Sequence, residues 1–173
     1  NIVYMGSFMP YKNVETLVRA MQWLPGRTLH LLSRISDGRR AELEKLAPAD
    51  ARIVFHGGVT DAEYAALLAD AGMLATLSLD EGYGLPIAEA LALGVPAVVS
   101  DMEIFHEVGG DGALYVPPRD PRAFAAAVVS LDDDAARAGL VAAGRAHIAR
   151  FTWVESASRL LAASRRARAL RAR

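Results

Sequence analysis

Short apolar runs alternate along this chain with stretches in which apolar residues recur every three or four positions. Residues 2–5 predict a buried strand, and residues 13–23 a helix with Val14, Leu17, Val18 and Met21 on one face. The alternation continues with a strand over 28–32, a polar helix over 39–46 and a strand over 52–56. A helix over 62–70 follows, with Thr60 or Asp61 as its N-cap. Strands over 73–79, 96–100 and 113–116 come next, the first two separated by a helix over 87–93. Ala-rich helices then occupy 122–131, 135–150 and 154–168.

Strands alternating with helices imply βαβ units and a parallel sheet covered on both faces. The expected fold class is therefore α/β: a three-layer, Rossmann-like domain with a parallel sheet of about six strands. Such sheets bind ligands beyond the carboxyl ends of their strands. That directs attention to the loops after the first, third and fourth strands. At 173 residues one domain can enclose a substantial core. We expect a single domain over 1–173, with about 152–173 forming a C-terminal helix and basic tail. The chain opens inside an apolar strand, without a leader or initiator Met, as a domain excised from a longer protein would.

Composition narrows the class. Hydrophobic residues make up 53% and aromatics only 7%, and the excess of Ala, Val and Leu suits a layered α/β core. A net charge of −1 gives no reason to expect nucleic acid. The absence of cysteine excludes disulfides, thiolate zinc sites and cysteine nucleophiles, and fits a reducing cytoplasm. No apolar run is long enough to span a bilayer, and no signal-peptide pattern is present. Arg159, Arg165, Arg166, Arg168, Arg171 and Arg173 form an acid-free end, read as a solvated helix face in preference to a membrane contact. The expected location is cytoplasmic; a peripheral place at the inner face of the membrane is left open.

The segment Glu81-Gly82-Tyr83-Gly84-Leu85-Pro86-Ile87-Ala88-Glu89 carries the chemistry. Pro86 is suited to the first position of a helix, which makes 81–85 the turn after the fourth strand. Gly82 and Gly84 permit positive φ and close approach of a ligand to the backbone. Free N–H groups at this helix start can hold a phosphate. Glu89 lies about one turn inside, at roughly 1.5 Å of rise per residue. A carboxylate there cannot bind phosphate but can accept from paired sugar hydroxyls, and Glu81 can do the same on the far side of the turn. Sugar, phosphate and sugar together outline a nucleotide diphosphate sugar. Taken alone, the two glutamates could equally serve only the helix dipole.

The segment does not stand alone. SLDEGYGLPIAEA (78–90), continuing through LGVP (93–96) to VVS (98–100), resembles the retaining nucleotide-sugar glycosyltransferases of family 4, which have the GT-B fold. The likeness extends to YMGSFMPYKN (4–13), VFHGGVTDAEYAALLADAG (54–72), EVGGDGALYVPPRDP (107–121) and RFTW (150–153). The resemblance implies the C-terminal, donor-binding half of a two-domain enzyme. Its partners would be a nucleotide diphosphate sugar and, through an N-terminal domain absent from this chain, an acceptor such as a glycan or lipid. Transfer of a hexose, mannose or glucose, with retention and without a metal or cofactor would be its reaction. The isolated domain would transfer little or nothing.

Residue by residue, the resemblance assigns Glu89 to the ribose hydroxyls and Glu81 to the transferred sugar. Gly82, Tyr83, Gly84 and Leu85 would meet that sugar and the diphosphate, with the Tyr83 ring mainly packing support. Lys12, together with the backbone around Gly6 and Ser7, would face the leaving diphosphate. A solvated lysine is the plainer reading of Lys12, disfavoured because a helix start repels a cation unless an anion is bound. Val59 and Asp61 match the stretch that meets the base, although Asp61 serves equally as a helix cap.

Ser7 departs from the family, many members of which carry an arginine there; Arg34 either substitutes for it or is an ordinary surface residue. His30, His56, His106 and His147 look too scattered for a metal site, and His56 reads as structural, as does Glu107. Two other readings remain: another GT-B enzyme, such as a glycogen phosphorylase or a sugar-nucleotide 2-epimerase, or a non-catalytic module that has lost transfer. A phosphorylase would show a pyridoxal-binding lysine motif, which is absent, and an epimerase fits EGYGLP and YKN poorly; the intact Glu81, Glu89 and Lys12 argue against the module, and Ser7 argues mildly for it.

Overall fold

The computed structural model describes residues 1–171. Six parallel strands form one sheet: β1 (Ile2–Tyr4), β2 (Thr28–Leu31), β3 (Arg52–Phe55), β4 (Met73–Thr76), β5 (Ala97–Ser100) and β6 (Ala113–Val116). Their order is β3-β2-β1-β4-β5-β6, so the chain winds outward from β1 in one direction and from β4 in the other. The expected doubly covered α/β sheet is what the chain forms.

Alternation within the apolar strands builds a core on each face. Ile2, Tyr4, Leu29, Leu31, Met73 and Ala75 point one way, onto α1 (Val14–Ala20) and α6 (Pro121–Ser130). Val3, Leu74, Ala97 and Val99 point the other way, onto α3 (Asp61–Asp70), α4 (Leu85–Leu93) and α5 (Glu103–Gly109). Helix α2 (Asp37–Leu46) adds Leu43 to the first core, and α7 (Asp134–Ile148) packs beside α4 and α5.

Several boundaries differ from the pattern, each for a local reason. Strand β4 stops at Thr76 instead of residue 79, although Leu77 and Ser78 are fully buried. Their backbone groups leave the ladder. The Leu77 carbonyl accepts from Asn13 Nδ2 at 2.9 Å, the Ser78 carbonyl from Ser100 Oγ at 2.6 Å, and Leu79 N–H donates to the Tyr11 carbonyl at 2.7 Å. The helix expected over 13–23 is α1 followed by a 3₁₀ turn, Met21–Trp23. Helix α3 is capped by Thr60 rather than Asp61, in a reciprocal capping box with Glu63. Helix α4 begins at Leu85, with Gly84 as its cap and Pro86 one position further in. Helix α5 is not predicted by the pattern; its seven residues end on Gly109, with Gly110 as the cap, and carry too short a period to recognise.

Helix α8 (Trp153–Arg171) projects with Arg159, Arg165, Arg166 and Arg168 exposed, as a solvated face should be. Arg173 lies outside the described residues. Among the described residues, no helix is long and apolar enough to cross a membrane.

Candidate functional site

The winding reverses between β1 and β4, which leaves a crevice beyond their carboxyl ends. On the β1 side the chain leaves through Met5, Gly6 and Ser7. The buried Tyr4 hydroxyl turns back to donate to the Ser7 carbonyl at 2.5 Å. A Cβ on Gly6 would lie 2.8 Å from that hydroxyl oxygen, so a larger residue would have to push the buried, hydrogen-bonded Tyr4 ring aside. Burial, and then the charge of Glu81, push the Tyr4 phenol well above its usual pKa and keep it a donor.

A 3₁₀ turn, Pro10–Lys12, follows and ends at Asn13, which adopts the left-handed conformation at φ 52°. Asn13 is only 7% exposed and all of its polar side-chain atoms are engaged. Its amide donates to the carbonyls of Leu77 and Pro118, at 2.9 and 2.5 Å, and its oxygen accepts from Thr16 Oγ1 at 2.8 Å. One side chain thus fastens the loop after β1 to the loops after β4 and β6. With the Leu79–Tyr11 backbone bond, this carries Lys12 onto the start of the glutamate loop.

There Lys12 Nζ donates to both carboxylate oxygens of Glu81, at 2.6 and 2.7 Å. The two side chains are 13% and 18% exposed, so water screens the pair only partly. Lys12 was expected to need an anion beside it. The chain itself supplies one in Glu81.

The turn from Glu81 into α4 closes on Gly84, at φ 92°. A Cβ there would come within 2.9 Å of the Phe105 ring, so both backbone conformation and packing require glycine. Leu85 and Pro86 open the helix; Pro86 has no N–H and the Ile87 N–H donates to the Gly84 carbonyl at 2.9 Å, which leaves the Leu85 N–H without an intrahelical acceptor. The helix start carries about half a positive charge toward the crevice. Glu89, one turn in, is exposed and accepts from the Tyr64 hydroxyl of α3 at 2.9 Å.

The result is a cleft of about 510 Å³. Gly6, Ser7 and Lys12 line it from the β1 side, Glu81, Tyr83, Gly84, Leu85 and Glu89 from the β4 side, and Asp61 from the start of α3. Tyr83 is 38% exposed at the cleft wall, rather than packed beneath the loop as support. Gly82 is exposed in the turn but does not line the cleft. Val59 also lies outside it, beside a separate shallow hollow with His56 and Leu67. Arg34 is exposed and packs its stem against Gly58, away from the lining. Among the described residues, Lys12 is the one cation in the lining, facing Asp61, Glu81 and Glu89.

Three side chains here escaped the sequence reading. Tyr64 and Ser33 both line the cleft, and Asn13 holds Lys12 in place. Tyr64 and Asn13 fall inside the stretches that carry the resemblance, but nothing local marks them as partners of Glu89 and Leu77.

Two of the four histidines meet each other, and the other two meet unrelated partners. His30 Nδ1 and His56 Nε2 are 3.0 Å apart, His106 meets Asp101 at 2.7 Å and stacks on Tyr115, and His147 meets the Glu107 carbonyl at 2.9 Å. Among the described residues no three His, Asp or Glu side chains could share a metal ion.

Residues 1–134 match the protein family described as glycosyl transferases group 1. The O-antigen chain mannosyltransferase B of Escherichia coli is 35% identical over 159 residues, which cover 87% of this chain and 42% of that protein. The sucrose-phosphate synthase of Thermosynechococcus elongatus superposes with a TM-score of 0.82 at 30% identity, over 98% of this chain and 45% of its own. HepE of Anabaena, solved in complex with UDP and glucose, has the same fold at a TM-score of 0.78 and 18% identity, covering 94% and 47%. The chain therefore spans less than half the length of these relatives.

Proposed function

The chain belongs to the glycosyl transferases group 1, and we propose that it is the donor-binding half of a retaining, metal-independent glycosyltransferase. The donor is a nucleotide diphosphate sugar carrying a hexose, mannose or glucose. The acceptor is a glycan or lipid, held by an N-terminal domain outside this chain. One observation carries the reading: Glu81 and Glu89 line the same cleft on opposite sides of the start of α4.

Each part then has a chemical task. The backbone N–H groups of the glycine loop that leads into Leu85 receive the diphosphate, whose charge the helix dipole favours. Glu89 accepts from the ribose hydroxyls and Glu81 from the transferred sugar. Lys12 faces the oxygen that gains charge as the glycosidic bond breaks, and stabilisation of that charge is the main catalytic contribution of this half. Glu81, bridged to Lys12, links sugar recognition to that cation. The second domain contributes the acceptor and its alignment, so the isolated chain binds donor weakly and transfers little.

Calorimetric titration with UDP, GDP and ADP tests the assignment. One of them should bind the wild-type chain, and Glu89→Ala should weaken it at least several-fold. Binding of none, or equal binding by the variant, overturns the donor site. Among the described residues a single cation lines the cleft, which favours as a second reading a binding module without transfer. Turnover by the two-domain protein would rule that module out.

A further inference from the structure

Glu89 sits on an exposed turn of α4, on a side chain with three rotatable bonds, yet its carboxylate is not left to wander. Among the described residues it has one hydrogen-bond partner, the Tyr64 hydroxyl at 2.9 Å on Oε2. Tyr64 is itself firmly held. It lies in the first turn of α3, its N–H donates to the Thr60 carbonyl at 2.8 Å, and the Thr60–Glu63 capping box locks that turn. Its ring is half-buried against the core cluster that contains Ile87, Ala90 and Leu91 of α4.

We propose that Tyr64 is a positioning residue for ribose recognition, fixing one oxygen of Glu89 so that the other faces the cleft. The inference rests on the donor-site reading of Glu89 given above. The phenol O–H donates to Oε2, so its one proton is committed to Glu89. The remaining Glu89 oxygen presents lone pairs and no donor to the cleft that it lines. Such an oxygen suits two adjacent hydroxyls, each of which brings a proton, and repels phosphate oxygens, which bring none. Burial and the neighbouring Glu89 push the Tyr64 phenol far above its usual pKa, so it remains a donor at any working pH. The gain is pre-organisation: a free glutamate loses rotamer freedom when it binds, and one already held by Tyr64 loses less.

Titration calorimetry on the chain tests this, with whichever of UDP, GDP and ADP binds best, its 2′,3′-dideoxy counterpart and inorganic diphosphate. Tyr64→Phe should weaken the parent nucleotide roughly three- to tenfold. It should leave the dideoxy compound and inorganic diphosphate unchanged, and add no further loss in the Glu89→Ala background. Equal binding of the parent nucleotide by wild type and Tyr64→Phe overturns the inference and leaves the donor site standing. An equal loss for parent and dideoxy compound also overturns it, since that marks a general structural effect. Failure of every nucleotide to bind wild type overturns the donor site and this inference with it. A thermal melt of Tyr64→Phe matching wild type confirms that the variant is folded.

Discussion

Lys12 Nζ and the Glu81 carboxylate meet through two bonds of 2.6 and 2.7 Å across 69 residues of chain. The contact is largely shielded, so removal of one partner strands a charge that water reaches poorly. Lys12→Met should destabilise the fold by about 1–3 kcal/mol, below the cost of a fully buried pair because some exposure remains. Lys12→Met with Glu81→Gln together should recover much of that loss, because no charge is then left alone. Urea unfolding of the four proteins measures the coupling; strictly additive losses would show that the pair carries no energy.

The cleft is short of positive charge, with Lys12 facing three carboxylates. Ser7 lines it beside Gly6 and is exposed, so an arginine has room there. Ser7→Arg should tighten binding of a nucleoside diphosphate by roughly tenfold at low salt, worth about 1.4 kcal/mol. The gain should shrink as ionic strength rises. Titration at two salt concentrations checks both the direction and the cause. Unchanged affinity would mean that the diphosphate does not pass Ser7.

Asn13 combines a left-handed backbone with a side chain committed to two carbonyls. Asn13→Gly keeps the backbone at ease and loses the bonds, for an expected cost of about 1–3 kcal/mol. Asn13→Asp tolerates the same backbone but turns a carboxylate toward two carbonyl oxygens, and should cost more than glycine does. Denaturation midpoints give the order. If aspartate proved the milder change, the amide would not be what joins these loops.

His30 faces His56 and Asp70. Burial first, and His56 second, hold its pKa below the ordinary 6.5, so the folded state binds fewer protons than the unfolded one near that pH. The sign follows: stability is full above about 6.5 and falls as pH drops toward the folded value. His30→Gln should flatten that acid-side slope. Unfolding free energies from pH 8 to 5 on both proteins provide the comparison, and identical slopes would remove His30 as the cause.

Much of this molecule was legible before any coordinates. The two periodicities placed all six strands: β1, β4 and β5 are buried on both faces and mostly apolar, the less buried β2, β3 and β6 still read as short apolar-rich runs, and the helices between carry one apolar stripe. The same logic of ligand sites beyond strand ends, with the residues that carry the family resemblance, brought Gly6, Ser7, Lys12, Glu81 and Glu89 forward, and they do share one cleft. Local chemistry also announced the turn at Gly84, since only glycine suits its conformation.

What lay beyond the sequence was decided by contacts between distant segments. Strand β4 ends early because Asn13, Tyr11 and Ser100 take over the backbone groups of residues 77–79, and no periodicity within 73–79 encodes that competition. Glu81 could be read as a sugar ligand, but not as the counter-ion of Lys12, which lies on another loop. Tyr64 carries no local mark within α3; only the packing of α3 beside α4 brings its hydroxyl to Glu89. A sequence states which groups a chain possesses and the local geometry each prefers. Which donor meets which acceptor depends on how the sheet orders its strands, and that is settled only when the core closes.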